Sequence, residues 1–385
     1  MLLAAACRIG EAPPATGEAA TTSAPITTEG GTPEGGTSST AVGGIDALIA
    51  AAQAEGTLNT IGLPHDYCNY GGVIEGFKSK YGIEVNEFAP DAGPADGLEA
   101  IRVSQGSTGA QSPDAQSPDV VDIGLTLAPE AQAEGLFQQY QVESWDSIPD
   151  HAKDPDGFWY GGYYGVLAFD VNADSAPSVP ADWSDLLDPQ YQGQVALAGD
   201  PRVSNQAIFA VFAAALANGG SLDDAQPGLE YFAQLNDLGN LAPVIADSST
   251  VASGETPVAI RWTYNALPDR DDIATEAVIE VVVPDSGRLA FVYVQAISAF
   301  APHPNAARLW MEYLYSDEGQ LGWLEGYCLP IRYDDLVERE VIPGDLASRL
   351  PDSSGTAFPN VDQMSAARDL ITANWEAVVG ADSGG

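Results

Sequence analysis

The sequence predicts an α/β protein with two α/β lobes that are joined by two extended crossover strands. Three observations lead to this prediction. Predicted helices and strands alternate along the chain after residue 44, and two long stretches, residues 158–169 and 289–300, have the composition of extended strands. A second alternating set of elements lies between those two stretches. The cleft between two such lobes is the usual place for a ligand.

The first set of elements begins with an Ala-rich amphipathic helix that Gly56 ends. Apolar residues at helical spacing predict helices, and alternation of apolar with polar residues predicts strands. The predicted elements are helix 45–55, strand 57–63, helix 71–81, strand 83–88, helix 94–104 and strand 120–125. This order is typical of βαβ units, so it predicts a mostly parallel sheet with helices on both faces.

The stretch 158–169 is dense in aromatic residues and glycine, which suits a strand that crosses between two bodies and lines the gap between them. Strand 194–198, helices 205–217 and 222–235, and strands 257–261 and 277–283 follow. The stretch 289–300 returns the chain, and helices 305–315, 317–324 and 364–379 complete it. We therefore assign residues 45–165 and 284–325 to lobe 1, and residues 166–283 and 326–385 to lobe 2.

The charge of the chain excludes some classes of partner. Of the 385 residues, 55 are acidic and 14 are basic, which gives a formal charge of -41. A protein this negative repels the phosphates of nucleic acids and of anionic lipids, so we expect no nucleic-acid partner. The acidic residues are scattered along the chain, a pattern typical of a solubility device. No apolar stretch in the sequence is long enough to predict a membrane-spanning helix.

The first residues, MLLAAAC, resemble the end of a bacterial lipoprotein signal in which Cys7 receives the lipid. The alternative is an ordinary N-terminus that happens to contain a cysteine. Residues 8–44 are rich in Gly, Thr, Ser, Ala, Pro and Glu and contain no aromatic residue, so they predict a disordered tether. A remnant of a lipoprotein signal at residues 1–7, followed by a tether, indicates a protein anchored through Cys7 at the extracellular face of the membrane or in the periplasm.

Cys68 and Cys328 both lie in turn-like segments, HDYCNYGG and EGYCLPIR. In an exported protein a disulfide between them is plausible, and two buried free thiols are the alternative.

Motifs of the common enzyme classes are absent from the sequence. Only three histidines occur, and neither a metalloprotease motif, nor a nucleophile elbow, nor a P-loop is present. We therefore expect no enzymatic activity, no cofactor and no metal site. Because carboxylates are so abundant, a secreted hydrolase that works with two acidic residues stays open as an alternative, as does a surface lipoprotein without a transport role.

Five short sequence motifs follow one another in the second half of the chain. They are WSDLLDPQYQGQV at 183–195, GETPVAI at 254–260, VVPDSG at 282–287, ISAFAPHPNAA at 297–307, and SDEGQ with GYCLP at 316–330. Together they resemble the extracellular solute-binding proteins of ABC importers, in the group that contains polyamine, ferric-iron, thiamine and aminoethylphosphonate binders. The resemblance implies a type II periplasmic-binding fold, whose two lobes close over one small solute and deliver it to an ABC permease in the membrane. The protein is expected to be a monomer.

In such a fold the ligand meets loops at strand ends and helix N-termini from both lobes. For some of the candidates a structural role is an equal alternative: helix capping for Ser204, packing for the two adjacent tyrosines, and a salt bridge to Asp269 or Asp271 for Arg261. The candidate ligand-binding residues are His65, Asp66, Tyr67 and Thr126 in lobe 1, Tyr163 and Tyr164 at the crossing, and Ser204, Asn205, Arg261, Trp262, Tyr264 and Asn265 in lobe 2.

Departures from the family pattern narrow the solute. A guanidinium at Arg261 would suit an anionic group. Iron is disfavoured, because ferric binders of this group usually carry adjacent tyrosines late in the second lobe, whereas Tyr264 stands alone there and the pair Tyr163 and Tyr164 lies too early to replace them. A polyamine is disfavoured because polyamine binders use a carboxylate in the return strand and residues 291–295 supply none, with Asp66 or another acid as the open alternative. The expected solute is therefore a small polar or zwitterionic organic molecule.

Overall fold

The computed structural model describes residues 44–105 and 117–381. Cys7 and residues 8–43 of the predicted tether lie outside this range, and Gly44 already begins the first helix. The strands are β1 (Thr57–Ile61), β2 (Glu84–Phe88), β3 (Val120–Gly124), β4 (Phe137–Gln138), β5 (Tyr160–Asn172), β6 (Val195–Leu197), β7 (Val258–Trp262), β8 (Ile279–Val282), β9 (Ala290–Ser298) and β10 (Leu329–Pro330).

The helices fall close to the predicted positions, with several short ones added. They are α1 (Gly44–Glu55), α2 (Tyr70–Tyr81), α3 (Pro94–Gln105), α4 (Ala128–Ala133), α5 (Asn205–Ala217), α6 (Gln226–Asp237), α7 (Ser248–Ser253), α8 (Thr263–Asp272), α9 (Pro304–Leu314), α10 (Asp317–Glu325), α11 (Tyr333–Glu338), α12 (Gly344–Ala347) and α13 (Val361–Val378). The mixed α/β architecture confirms the predicted fold class.

Strand β5 is the element that joins the two parts of the main sheet. Its first half pairs with β9 from Tyr160 to Val166, and its second half pairs with β7 and β8 from Leu167 to Asn172. Every residue of β5 is buried. The long extended strand that the composition predicted is therefore the crossing between two half-sheets. Side chains on either face of β5 lie where these two half-sheets meet.

The prediction of a mostly parallel sheet is wrong. Among the strands of the described residues, only β1 with β2 and β6 with β7 pair in parallel, whereas β5 and β9 run antiparallel to all of their partner strands. The reason is the crossing itself. Strand β5 leads from the first body, which is built on its first half, into the second body, which is built on its second half, and β9 returns the chain, so the two strands run in opposite directions. The alternation of elements along the sequence could not reveal this pairing.

Helix α5 forms the centre of the second body. Nine of its residues are buried, and it is apolar on all sides because alanine, phenylalanine, isoleucine and valine fill its faces. It packs against α6, α13 and β7. The buried helix fixes the position of the strand ends beside it, including the end of β7 from which α8 begins.

The predicted lobe boundaries stay a proposal, to which we add one refinement. Strand β10 pairs with Tyr163 and Tyr164 in the first half of β5, and α10 packs against α2 and α9. We therefore place residues 326–332 with lobe 1, whereas α13 packs on α5 and α6 of lobe 2.

Among the described residues, no helix combines the length and the apolar character that crossing a membrane requires.

Candidate functional site

Four tyrosines from different elements meet at the junction of the two half-sheets, and we call them the tyrosine cluster. Tyr67 follows β1, Tyr163 lies in β5, Tyr293 lies in β9, and Tyr264 lies in the first turn of α8. The ring centroid of Tyr67 is 5.5 Å from that of Tyr264, 6.1 Å from that of Tyr163 and 6.2 Å from that of Tyr293. Tyr163 and Tyr293, which are cross-strand partners, stack at 5.3 Å. The cluster thus brings both bodies together around Tyr67.

The Tyr67 hydroxyl is the centre of the cluster. Its oxygen is buried and makes no hydrogen bond of ordinary geometry within the described residues. Burial raises its pKa well above the usual value, and the neighbouring Tyr293 phenol and the Asp122 carboxylate raise it further. The phenols of Tyr163 and Tyr264 lie close enough to lower that pKa by interacting with the Tyr67 oxygen. A buried polar oxygen among other phenols is costly unless a ligand completes its coordination.

The carboxylate of Asp122 in β3, a partly buried residue whose Oδ1 atom is buried, supports the cluster from one side. Its Oδ2 accepts hydrogen bonds from the hydroxyls of Tyr163 at 2.6 Å and Tyr70 at 2.7 Å. The Tyr70 oxygen in turn accepts a hydrogen bond from Nε2 of Gln295 at 3.2 Å. Oδ1 of Asp122 is buried without a partner among the described residues. Burial raises the pKa of Asp122 to about 7, although the bonds from Tyr163 and Tyr70 oppose that rise.

Glycines in β5 make room for the cluster. A Cβ atom at Gly165 would clash with carbon atoms of the Tyr264 ring, and a Cβ at Gly162 would lie 2.8 Å from the Trp323 ring. Tyr264 is also stacked on Trp262, with ring centroids 6.1 Å apart. The glycine-rich composition of this strand therefore has a packing cause, since large rings approach the backbone from both bodies.

A disulfide between Cys68 and Cys328 secures the loop that carries Tyr67. The backbone of Cys68 and of the next residue, Asn69, has positive φ, at 50° and 56°. Tyr327, which precedes the second half-cystine, also has positive φ, at 64°. Such backbone is unfavourable for residues with a side chain, so the covalent link helps to hold it in place beside the cluster.

Arg261 has the structural role that the sequence left open as the alternative. Its guanidinium is buried and forms ion pairs with Asp170, at 2.8 Å, and with Asp269. It also donates to Oγ of Ser248 at 3.3 Å. The expectation that Arg261 faces an anionic solute is therefore not met in this structure. Two acids compensate this cation, because β7 places it between β5 and α8.

The other candidates from lobe 2 serve the local structure. Ser204 caps α5, and its Oγ accepts from the backbone nitrogen of Ala207. The side chain of Asn205 contacts Arg368. The amide of Asn265 and the backbone nitrogen of Trp262 both donate to Oε1 of Gln206, at 3.1 and 2.8 Å. Only Trp262, through its stacking on Tyr264, touches the tyrosine cluster.

The remaining candidates lie outside the cluster. His65 is exposed and its Nε2 lies 2.5 Å from Oε2 of Glu87. His65 and Asp66 line an open cavity of about 580 Å³ whose wall also carries Asp271, Asp272, Glu325 and Asp345. Thr126 lies in the single turn Leu125–Leu127 after β3 and is partly exposed. The ring of Tyr164 packs on Phe358 at 5.0 Å, away from Tyr163.

Sequence reasoning missed Tyr293, Asp122, Tyr70 and Gln295. The signal for Tyr293 was present, because it lies in the predicted return strand at a position that pairs with Tyr163 across the sheet. The interpretation of that strand considered only carboxylates. Asp122 was placed in its strand, but a sequence does not show which hydroxyls a buried carboxylate will meet.

The chemistry of the cluster is that of hard oxygen ligands. The described residues contain no group of three or more His, Cys, Asp and Glu side chains that could hold a metal ion. The phenols of the tyrosine cluster are of a different type, since each becomes a negatively charged oxygen when it loses its proton. No ion pair joins a Lys or Arg to Asp122 in the described part of the chain.

Two relatives are similar over long stretches. An uncharacterized protein of Haemophilus influenzae is 27% identical over 318 residues, which covers 76% of this chain and 85% of that protein. Iron uptake protein A2 of Synechocystis is 27% identical over 230 residues, which covers 56% of this chain and 65% of that protein.

Solved structures with the same fold include a putative extracellular solute-binding protein from Bordetella parapertussis, with a TM-score of 0.66 and 14% identity over 85% of this chain and 99% of that one. They also include the apo ferric ion-binding protein A of Pasteurella haemolytica, with a TM-score of 0.61 and 18% identity over 85% of this chain and 98% of that one. These neighbours have the predicted type II periplasmic-binding fold. The family model for bacterial extracellular solute-binding proteins matches residues 115–351. Because this match covers more than half of the chain, the protein belongs to that family.

Proposed function

We propose that the protein is the solute-binding component of an ABC importer and that its solute is a ferric ion, held by phenolate oxygens of the tyrosine cluster. Membership of a family of solute-binding proteins supports the first part over the hydrolase and adhesive alternatives. The second part revises the small organic solute that the sequence suggested. The observation that carries it is the buried Tyr67 hydroxyl, surrounded by three other phenols and without an ordinary hydrogen bond.

Charge supports a cation over an anion. The positive charge of the Arg261 guanidinium is compensated by ion pairs with Asp170 and Asp269, so it is not available to bind an anionic solute. The cluster instead adjoins the buried Asp122, whose Oδ1 is unpaired. Hard cations prefer oxygen ligands, and a bound cation lowers the pKa of the groups that coordinate it. The raised pKa values of the four tyrosines describe the ligand-free site, and they would fall when the ion binds.

Similarity to iron proteins points in the same direction. The relative from Synechocystis is named an iron uptake protein, and the neighbour from Pasteurella haemolytica is a ferric ion-binding protein. The sequence disfavoured iron because Tyr163 and Tyr164 lie too early to replace the adjacent tyrosines that ferric binders of this group carry late in the second lobe. The ring contacts of Tyr67 with both Tyr163 and Tyr264 support a different arrangement, in which the phenols come from separate elements.

The mechanism is binding coupled to closure of the two bodies. Tyr67, Tyr163 and Tyr293 belong to the first body and Tyr264 belongs to the second. An ion that binds oxygens of both bodies stabilises the closed arrangement by its greater affinity for that arrangement. Closure then presents a loaded protein to the permease.

The test is a ferric titration of the purified protein, with iron supplied as its nitrilotriacetate complex. We expect a visible phenolate-to-iron absorption band and a rise in melting temperature, because ligand at 100 times its dissociation constant adds about 2.7 kcal/mol of stability. Tyr264→Phe should lose both signals. A melting shift with spermidine or an amino acid, with neither signal from iron, would replace the ferric assignment by an organic solute.

Lipidation of Cys7 and the monomeric state are also proposals. The acidic chain should run as a monomer in sedimentation, and Cys7→Ser should release it from the membrane of the producing cell. Membrane retention of Cys7→Ser, or a stable dimer, would contradict them. The family is one of binding proteins, and we propose no reaction for the chain.

A further inference from the structure

A second cavity lies against the opposite face of β5 from the tyrosine cluster. Its volume is about 370 Å³. Adjacent residues of a strand point to opposite faces of the sheet, so Tyr163 belongs to the cluster and Tyr164 belongs to this cavity. No residue of the cluster lines it. The lining residues are Pro149, His151, Tyr164, Ile331, Tyr333, Asp334, Val337, Pro351, Asp352, Ser353, Ser354, Gly355, Thr356 and Phe358.

Aromatic rings form much of the wall. The ring centroid of Phe358 is 5.0 Å from that of Tyr164 and 4.6 Å from that of His151. Tyr333 belongs to the same wall, and Tyr164 is only 8% exposed. Concave sites with aromatic walls and a few polar groups are the usual form of a small-molecule site.

The charges around the cavity favour a positive ligand. Neither lysine nor arginine is among the lining residues. Burial lowers the pKa of His151, which keeps its ring neutral at neutral pH. Asp352 is paired with Arg288 at 3.1 Å, whereas the exposed Asp334 forms no ion pair with a basic side chain of the described residues. Aromatic faces attract cations, and an unpaired carboxylate at the rim adds to that attraction.

We propose that this cavity is a second small-molecule site, separate from the solute site, for an organic cation with an alkylammonium head. The aromatic rings would surround the apolar substituents and face the positive charge, and Asp334 would balance that charge from the rim. The site lies where β5 passes from one half-sheet to the other, between residues 149–151 on one side and residues 333–358 on the other.

Tetramethylammonium chloride is a suitable probe, and isothermal titration with the full chain is a direct measurement. Sodium chloride at equal concentration is the necessary reference, because salt alone should stabilise so acidic a protein by screening its charges. Asp334→Asn and Phe358→Leu should each weaken tetramethylammonium binding by about threefold to tenfold, as expected for lost charge and cation–π contacts. Asp345→Asn, an acid that lines the cavity beside His65, is the matched control and should bind as the wild type does.

Tyr264→Phe separates the two sites. It should lose ferric binding and keep tetramethylammonium binding, and iron should not displace the ammonium probe. The inference is overturned if tetramethylammonium acts no differently from sodium. It is also overturned if Asp334→Asn and Phe358→Leu, checked for folding by circular dichroism, bind as the wild type does, or if Tyr264→Phe abolishes the binding.

Discussion

Two buried carboxylates, one on each half of the molecule, are arranged in contrasting ways. Asp122 in the first body accepts hydrogen bonds from Tyr70 and Tyr163 and forms no ion pair with a basic side chain in the part of the chain that the structure describes. Asp170, in the second half of β5, forms an ion pair with Arg261, which also binds Asp269. Burial raises the pKa of both acids, and only for Asp170 does a nearby positive charge oppose the rise.

We interpret the first group as the proposed binding site and the second as a structural ion-pair cluster. The group around Arg261 contains its own cation, which pairs with both acids, although Oδ1 of Asp170 and Nε of Arg261 are buried without a hydrogen-bond partner among the described residues. The group around Asp122 and the tyrosine cluster contains one carboxylate, several phenols and the Gln295 amide, and no ion pair joins it to a basic side chain of the described residues, which is why we propose a cation as its ligand. A buried polar group that lacks a partner is costly, and such a cost is often found where a protein binds something.

The strongest test of this comparison is Arg261→Met. Removal of the cation leaves Asp170 and Asp269 buried together, and we expect the free energy of unfolding in urea to fall by about 3–5 kcal/mol. Arg270→Met is the control, since its partner Asp271 is partly exposed and the loss should be about 0–1 kcal/mol. If Arg261→Met kept its stability but lost solute binding, Arg261 would be a ligand after all.

Removal of the disulfide should affect the tyrosine cluster and spare the group around Arg261. The double variant Cys68→Ser and Cys328→Ser should lose about 2–5 kcal/mol of stability, as is typical when a native disulfide is removed. Because Tyr67 precedes Cys68, the affinity for iron should fall as well, measured by ferric titration of the folded protein. Unchanged ferric affinity would indicate that Tyr67 is not a ligand.

The pH dependence of ligand-free protein should report on Asp122. Its pKa is about 7 in the folded chain and near 4 when unfolded, so the folded state binds the proton more tightly. The stability that this provides is present below pH 4 and is lost as the pH rises through 7. Asp122→Asn should flatten this dependence and be more stable than wild type at pH 8 by about 1–3 kcal/mol. An unchanged profile in urea titrations at several pH values would contradict the burial of a charged Asp122.

The smallest expected effect is that of Ser204→Ala, in the second body. Loss of the α5 cap should cost about 1 kcal/mol of stability in thermal unfolding and leave ferric binding unchanged. Thr250→Ala, which interrupts the capping box of α7, provides a matched control for loss of a cap elsewhere. A loss of ferric affinity in Ser204→Ala alone would return this residue to the binding site.

Local patterns were sufficient to predict much of the fold. The bounds of α5 match the predicted helix, because its apolar run begins after a capping serine and ends before Asn218 and Gly219. The crossing strand β5 followed from its aromatic residues and glycines. Helix α8 was not predicted, because it contains Pro268 and several aspartates, which are poor helix formers. Its formation places Tyr264 in a first helical turn and Asp269 beside Arg261.

The proposed binding site was only partly predictable. Tyr67, Tyr163 and Tyr264 were candidates by their positions after strands and at the crossing. Which side of β5 each tyrosine occupies depends on the register with β9, and the partners of Arg261 depend on how α8 packs. Both are long-range properties of the fold, so motif spacing could not distinguish Tyr163 from Tyr164 or assign Arg261 to its acids.

The most direct measurement compares Tyr163→Phe with Tyr164→Phe, two changes of the same chemistry at adjacent positions on opposite faces of β5. In a competitive titration against nitrilotriacetate, the account predicts that Tyr163→Phe weakens ferric binding at least about tenfold, a loss of about 1.4 kcal/mol. Tyr164→Phe should bind iron as the wild type does. Equal affinities for both variants, or a loss confined to Tyr164→Phe, would contradict the assignment of the tyrosine cluster as the solute site.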